Sequence, residues 1–281
     1  YEQIKSVLDA AEECGINAMD TFMSQMEVRR DIGRALRGRR ERFIIQGHIG
    51  STALRQQYDI SRDLPVVKRY FEDLLRIFGY IDFGMMFFID SEADYEGVFE
   101  TGFADYVLRL KQQGDIRHIG FSSHNPVTAA QVIKTGLPEM MMFSINLAFD
   151  LYPAEVNALD ELSQGLDKNA FHGFDPTRAA LYALCEKMGV GITSMKTLGG
   201  GKLVSAEHTP FDQPLTPAQC MHYVLTRPAV ASAMIGCKSA AEVTEAVRYL
   251  QADERELDYT HVMHTLRNDF VGNCVYCSHC Q

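Results

Sequence analysis

Three groups of side chains in this chain have types and spacings that could do chemistry. The last eight residues, CVYCSHCQ, set Cys274, Cys277 and Cys280 in a CxxCxxC pattern. Three thiolates at that spacing suit a [4Fe–4S] cluster, whose fourth ligand would follow about three residues later. The sequence reaches Gln281 first, so the cluster is an expectation for the intact protein. Zinc, with His264 or His279 as fourth ligand, is the competing reading. A second group, Asp20, His48, Asp90 and His124, falls near the ends of apolar runs. Such acids and imidazoles would suit a metal-dependent hydrolase, but that chemistry usually wants an HxH pair at a strand end, and this chain has none. A third group has the character of a phosphate-binding site. The amides of Gly199, Gly200 and Gly201 could approach a pyrophosphate, and Lys238 with Ser239 precedes a helical pattern whose amino end favours an anion.

The elements that would position these residues alternate. Ile4, Val7, Leu8 and Ala11 recur at helical spacing through residues 1–13, Gly15 suits a left-handed stop, and the run to Thr21 has strand length. Helical patterns follow at 26–36, 64–78, 95–112, 127–135, 178–188, 216–225 and 240–250. Strand-like runs lie at 42–48, 80–89, 117–123, 140–147, 191–197 and 231–237. Residues 49–61 read as a loop, and 151–177 as a long irregular stretch with a short helix and the start of the helix at 178–188. Alternation with apolar strands implies a parallel sheet covered by helices. No GxGxxG follows a first strand, so a doubly wound dinucleotide fold lacks its fingerprint. The expected fold is an α/β (β/α)8 TIM barrel over residues 1–255. Its first strand would lie upstream of Tyr1, where the chain opens in mid-helix without a methionine. Residues 256–281 would form a C-terminal helix and the CxxCxxC tail. In a barrel, chemistry sits at the carboxyl ends of the strands, and Asp20 and His48 both fall there.

Composition narrows the function. At 281 residues and 46% hydrophobic, the chain can bury a large core. A net charge of −10 argues against general nucleic-acid binding, and no apolar run reaches membrane-spanning length. Cys14, Cys185, Cys220 and Cys237 are scattered among apolar residues and read as buried thiols. A reducing cytoplasm is the expected compartment.

The segments GINAMDT, RRDIGRALRGRRERFII, YIDFGMMFF, GFSSHNP, MFSIN, MKTLGGGKL and LTPAQCMHYVLTRPAVASAMIGCKS, in this order, resemble the aldo-keto reductases. The bacterial branch that carries a ferredoxin-like [4Fe–4S] tail is the nearer match. The resemblance implies NAD(P)H-dependent reduction of a carbonyl substrate by Asp, Tyr, Lys and His. Asp20 matches the family aspartate. Gln25 stands at the family tyrosine, His48 at the lysine and Phe87 at the histidine. Glutamine has no proton to give near neutral pH and Phe87 has no polar atom. His48 is therefore the candidate replacement acid, held by Asp20; a purely structural ion pair is the other reading of the two.

For the cofactor, the resemblance assigns Ser122, Ser123, Ser144 and Asn146 to the nicotinamide amide. Met195 stands where many relatives stack an aromatic ring, and Lys238 with Ser239 where they hold the adenosine phosphate. Glu242 would repel a 2′-phosphate, which leaves NAD and NADP both open. Two functions follow: an oxidoreductase with altered acid–base residues acting on a small-molecule substrate, or a non-catalytic dinucleotide-binding or electron-transfer subunit. An electron-transfer partner fits either; a membrane or nucleic-acid partner fits neither.

Overall fold

The computed structural model of the chain describes residues 1–55 and 58–263. They form an α/β fold that divides into two compact units. The first comprises Tyr1–Ser123, Thr135–Met141 and Gly236–Thr244; the second comprises His124–Lys134, Met142–Ile235 and, of the described residues, 245–263.

The first unit opens with α1 (Glu2–Glu13), β1 (Ala18–Thr21), α2 (Met26–Ala35) and β2 (Ile44–Ile49). A short antiparallel pair, β3 (Ser51–Thr52) and β4 (Asp59–Ile60), occupies the stretch expected as loop. Then come α3 (Leu64–Phe78), β5 (Ile81–Met86), α4 (Glu92–Phe99), α5 (Phe103–Gln113) and β6 (Ile116–Ser123). Helix α3 shows why these residues choose their elements. Asp63 stands at its N-cap, a proline lies in its first turn, and Gly79 ends it at φ 81°. Val67, Phe71, Leu74 and Phe78 recur at helical spacing and are all buried. The single helix expected over 95–112 is two. Ser91 and Asp94 form a capping box that starts α4 earlier, and Gly102 at φ 80° restarts the chain as α5.

Strands β1, β2, β5 and β6 pair in parallel, with Asp20 opposite Gln46, His48 opposite Met85 and Met86 opposite Phe121. Gly47 has no side chain because none fits: a Cβ there would meet Leu74 Cδ2 at 2.7 Å. Its absence lets α3 close on β2.

The remaining strands and α-helices are α6 (Pro126–Lys134), β7 (Met140–Ser144), α7 (Ala158–Gln164), α8 (Pro176–Met188), β8 (Gly191–Met195), α9 (Pro217–Leu225), β9 (Val230–Ala233), α10 (Ala240–Val247), α11 (Glu254–Leu257) and α12 (Thr260–Met263). Asp175 caps α8 through the Thr177 and Arg178 amides, and Thr216 with Gln219 forms a capping box on α9. Within the second unit β8 and β9 are parallel. Cys185 and Cys220 are buried, whereas Cys14 and Cys237 are only half-buried. No helix among the described residues is long and apolar enough to cross a membrane.

Candidate active site

Strand periodicity assembles the first constellation. Asp20 and Gln46 are register partners on β1 and β2, and Gln46 and His48 are two apart, so all three share one face. His48 Nε2 lies 2.7 Å from Asp20 Oδ1, and the Gln46 amide reaches the same oxygen at 3.2 Å. A carboxylate oxygen only accepts, so Nε2 carries a proton. His48 is 2% exposed. Its Nδ1 is buried without a hydrogen-bond partner among the described residues. Thr21 Oγ1 donates to the Gln46 carbonyl at 2.8 Å and fixes the two strand ends together.

Phe87 continues the same alternation beyond Met85, the register partner of His48. Its ring meets the imidazole edge-on, with centroids 5.1 Å apart. Tyr58 follows against Phe87 at 6.1 Å and against Phe22 at 5.6 Å. The surroundings of the Asp20–His48 pair are thus aromatic. Phe22 and Tyr58 are about two-fifths exposed, at 40% and 41%. Gln25, which the sequence resemblance aligns with the family tyrosine, is the exposed N-cap residue of α2.

The backbone is strained beside this cluster. Phe88 has φ 58°, a left-handed conformation rare for a bulky residue. It is held there from two sides, its amide donating to Ser122 Oγ at 2.9 Å and its carbonyl accepting from Arg62 Nη2 at 2.8 Å. That turn ends β5 at Met86, short of the run to Ile89 that the sequence suggests. Ser122 keeps its own hydroxyl proton to donate, whereas Ser123 spends its proton on Asp90 Oδ1 at 3.0 Å.

At the start of α10, the Glu242 carboxylate accepts from the Lys238 amide at 2.6 Å, and Ser239 Oγ accepts from the Glu242 amide at 3.3 Å. Gln3 Nε2 donates to the Lys238 carbonyl at 2.7 Å. An acidic side chain is thus folded onto the Lys238 amide, one that an anion at this helix start would use.

In the second unit, Asn146 Nδ2 donates to the Lys196 carbonyl at 2.9 Å, and Asn146 Oδ1 accepts from the Phe149 amide at 2.9 Å. Ser144 Oγ is buried with no hydrogen-bond partner among the described residues. Met195 is half-buried, and its backbone carbonyl accepts from the Ile145 amide at 3.1 Å. Lys196 has φ 59°, and burial pushes its ammonium pKa down. Gly199–Gly201 forms a kinked turn with positive φ at all three glycines. Its Gly199 and Gly201 amides donate to the Lys196 and Leu198 carbonyls.

Beneath Ser144 and Asn146 lies a network that sequence reading missed. Asp150 Oδ1 accepts from Arg178 Nε and from the Tyr182 hydroxyl, each at 2.7 Å, and Oδ2 accepts from the Tyr223 hydroxyl at 2.7 Å. Arg178 Nη2 reaches on to the Ser144 carbonyl at 2.5 Å. Burial holds both phenols well above their ordinary pKa; the Asp150 carboxylate adds to the effect, while the Arg178 charge at Tyr182 and the Arg227 charge at both work against it. The signal available was a lone acid inside the apolar run LAFDL, a residue type that is buried only when paired. Cys274, Cys277 and Cys280 lie outside the described residues. No group of three or more His, Cys, Asp or Glu among the described residues could hold a metal.

Comparison with known proteins places this arrangement. A solved aldo-keto reductase from Bacillus halodurans, in its holo form, matches with 20% identity and a TM-score of 0.66, over 92% of this chain and 86% of that one. An aldo-keto reductase from Klebsiella pneumoniae, solved in complex with NADPH, matches with 15% identity and a TM-score of 0.61, over 95% and 84%. At these identities the likeness is one of fold. No curated protein matches the sequence. The profile of the aldo/keto reductase family matches residues 1–220, and the chain belongs to that family.

Proposed function

We propose that this chain is an NAD(P)H-dependent reductase of a small carbonyl compound in which an Asp20–His48 pair replaces the missing acid–base residues. The observation that carries the reading is the buried His48 Nδ1 with no hydrogen-bond partner, on a ring held through Nε2 by Asp20.

The chain's own groups fit a dinucleotide in part. Ser144 Oγ is an unspent buried polar atom and Ser122 retains a donor proton; both suit a carboxamide. Met195 can pack sulfur on a ring. Ser123, Asn146, Gly199–Gly201, Lys238 and Ser239 complete the proposed cofactor set. When bound, NAD(P)H supplies a hydride. His48 holds a proton at Nδ1 and gives it to the substrate oxygen as that oxygen gains charge. Asp20 stabilises the imidazolium before transfer and keeps the ring oriented. Gln46 supports Asp20. Phe87 and Tyr58 exclude water from the transfer.

The tail is proposed to hold a [4Fe–4S] cluster through Cys274, Cys277 and Cys280, on the chemistry of three thiolates at CxxCxxC spacing. An electron-transfer partner would follow from that cluster. The proposed organisation remains a barrel over 1–255 and a tail over 256–281.

The test is cofactor binding followed by turnover. Fluorescence titration should show saturable NAD(P)H binding. A carbonyl panel should then show slow reduction that His48→Gln lowers by about 10²–10⁴, the worth of a general acid, with cofactor affinity retained. Binding without any turnover would replace this reading with a non-catalytic dinucleotide-binding or electron-transfer subunit. No binding at all would defeat both.

A further inference from the structure

A cleft of about 430 Å³ in the first unit, where α2 meets α3, is lined by Arg30, Arg34, Arg37 and Arg40 and by no carboxylate. Arg30 and Arg34 are four apart on α2, and Arg37 follows in the turn after its C-cap Leu36; the cleft lining brings the three into one stripe at the end of α2. Gly33 lies beside that stripe, and a Cβ there would meet Ile77 Cγ2 at 2.3 Å. Glycine thus allows the close approach that shapes the cleft.

The charge here is not answered by the protein. Arg30, Arg34 and Arg37 are exposed and have no carboxylate partner among the described residues; Arg34 stacks on the Tyr1 ring at 3.8 Å. Elsewhere Arg39, Arg42, Arg62, Arg76 and Arg117 each hold an acid, as expected in a chain of net charge −10. Arg40 is answered by Asp82 at 2.9 Å, yet its Nε is buried with no hydrogen-bond partner. The carboxyl ends of α2 and α3 each contribute about half a negative charge. Set against the three unpaired guanidinium groups, these leave an excess of roughly two positive charges.

We propose that this cleft binds a small molecule bearing two or more adjacent anionic groups, phosphate or carboxylate. Guanidinium forks spaced along one stripe match such groups by bidentate contacts. The site owes nothing to the proposed cofactor residues and would stand if the reductase reading failed.

The experiment is titration calorimetry of the full chain with inorganic pyrophosphate and, separately, with citrate, at low and at near-physiological ionic strength. Saturable binding of either probe is expected, weakened by salt. The Arg34→Glu/Arg37→Glu double variant should weaken it by about tenfold or more, with the thermal unfolding midpoint unchanged because both positions are exposed. Lys238→Glu should leave it intact. Pyrophosphate binding alone would name phosphate as the ligand chemistry, and citrate binding alone would name carboxylate. No binding of either probe would overturn the proposal, as would binding that survives the double variant or disappears in Lys238→Glu.

Discussion

Replacing Asp150 with Asn tests whether one buried carboxylate holds the second unit's strand end. Asp150 is 4% exposed and accepts three hydrogen bonds at 2.7 Å, from Arg178, Tyr182 and Tyr223. Arg178 is also 4% exposed. Asparagine keeps the shape but removes the charge and turns one acceptor into a donor that faces a donor. Breaking a buried pair from one side costs about 3–5 kcal/mol, because the partner's charge is left uncompensated. Tyr223→Phe removes one bond to a charged group, at about 1.5–3 kcal/mol, and leaves the ion pair intact. Against a total stability of about 5–15 kcal/mol, the first change consumes a large fraction and the second a modest one. Urea unfolding followed by circular dichroism should place the midpoints in the order wild type, Tyr223→Phe, Asp150→Asn, with slopes alike. The double variant should lose less than the two single losses added together, since its two sites share one carboxylate. A loss below about 1 kcal/mol in Asp150→Asn would refute the reasoning, as would a Tyr223→Phe loss equal to it.

Three further outcomes follow from the structure. Glu139 works against its own burial, but bonds from Lys111, His118 and the Ile119 amide bring its carboxyl down to about 2. Its contribution to stability should therefore be full above the ordinary value of 4.5 and be lost as pH falls toward about 2; denaturation curves across that window should flatten in Glu139→Gln. Burial pushes the Cys185 and Cys220 thiols up to about 12, so neither should react with a thiol reagent at neutral pH until the protein unfolds. Gly47→Ala forces a Cβ to 2.7 Å from Leu74 Cδ2, an overpacking loss of about 1–3 kcal/mol. Thermal unfolding should show that loss, and because Gln46 and His48 flank the site, turnover should fall with it.

The sequence made the alternation legible because periodicity is local. Val67, Phe71, Leu74 and Phe78 mark a buried helical face within one window, and Thr216-Pro217 announces a helix start without knowledge of any neighbour. The pairing of Asp20 with His48 was also readable, since both end consecutive strands that must lie side by side. Less local features were hidden. The β3–β4 pair is two residues on each side, too short to alternate visibly. The end of β5 depends on Phe88 turning left-handed, which Arg62 and Ser122 enforce from 26 and 34 positions away. Asp150 is satisfied by residues 28, 32 and 73 positions further on. No window around LAFDL contains its partners.

The remaining question about Asp20 and His48 is whether the pair is a relic or an instrument, and two costs bear on it. A histidine kept only for structure would be expected to satisfy both nitrogens, because an unpaired buried polar atom costs about 1–3 kcal/mol. His48 satisfies one. A backbone free of duty would relax Phe88 to ordinary strand geometry, since a left-handed bulky residue costs about 1–3 kcal/mol as well. Phe88 is instead held in place by two hydrogen bonds, one of them to the very serine that the family resemblance assigns to the cofactor. Both costs fall at strand ends of the first unit, and neither is needed to make the fold: Gln46 in place of His48 would serve a structural pair, and a glycine would serve the turn. Expense concentrated at these strand ends supports the proposed role of the pair. A decayed site would be free to shed it by single substitutions.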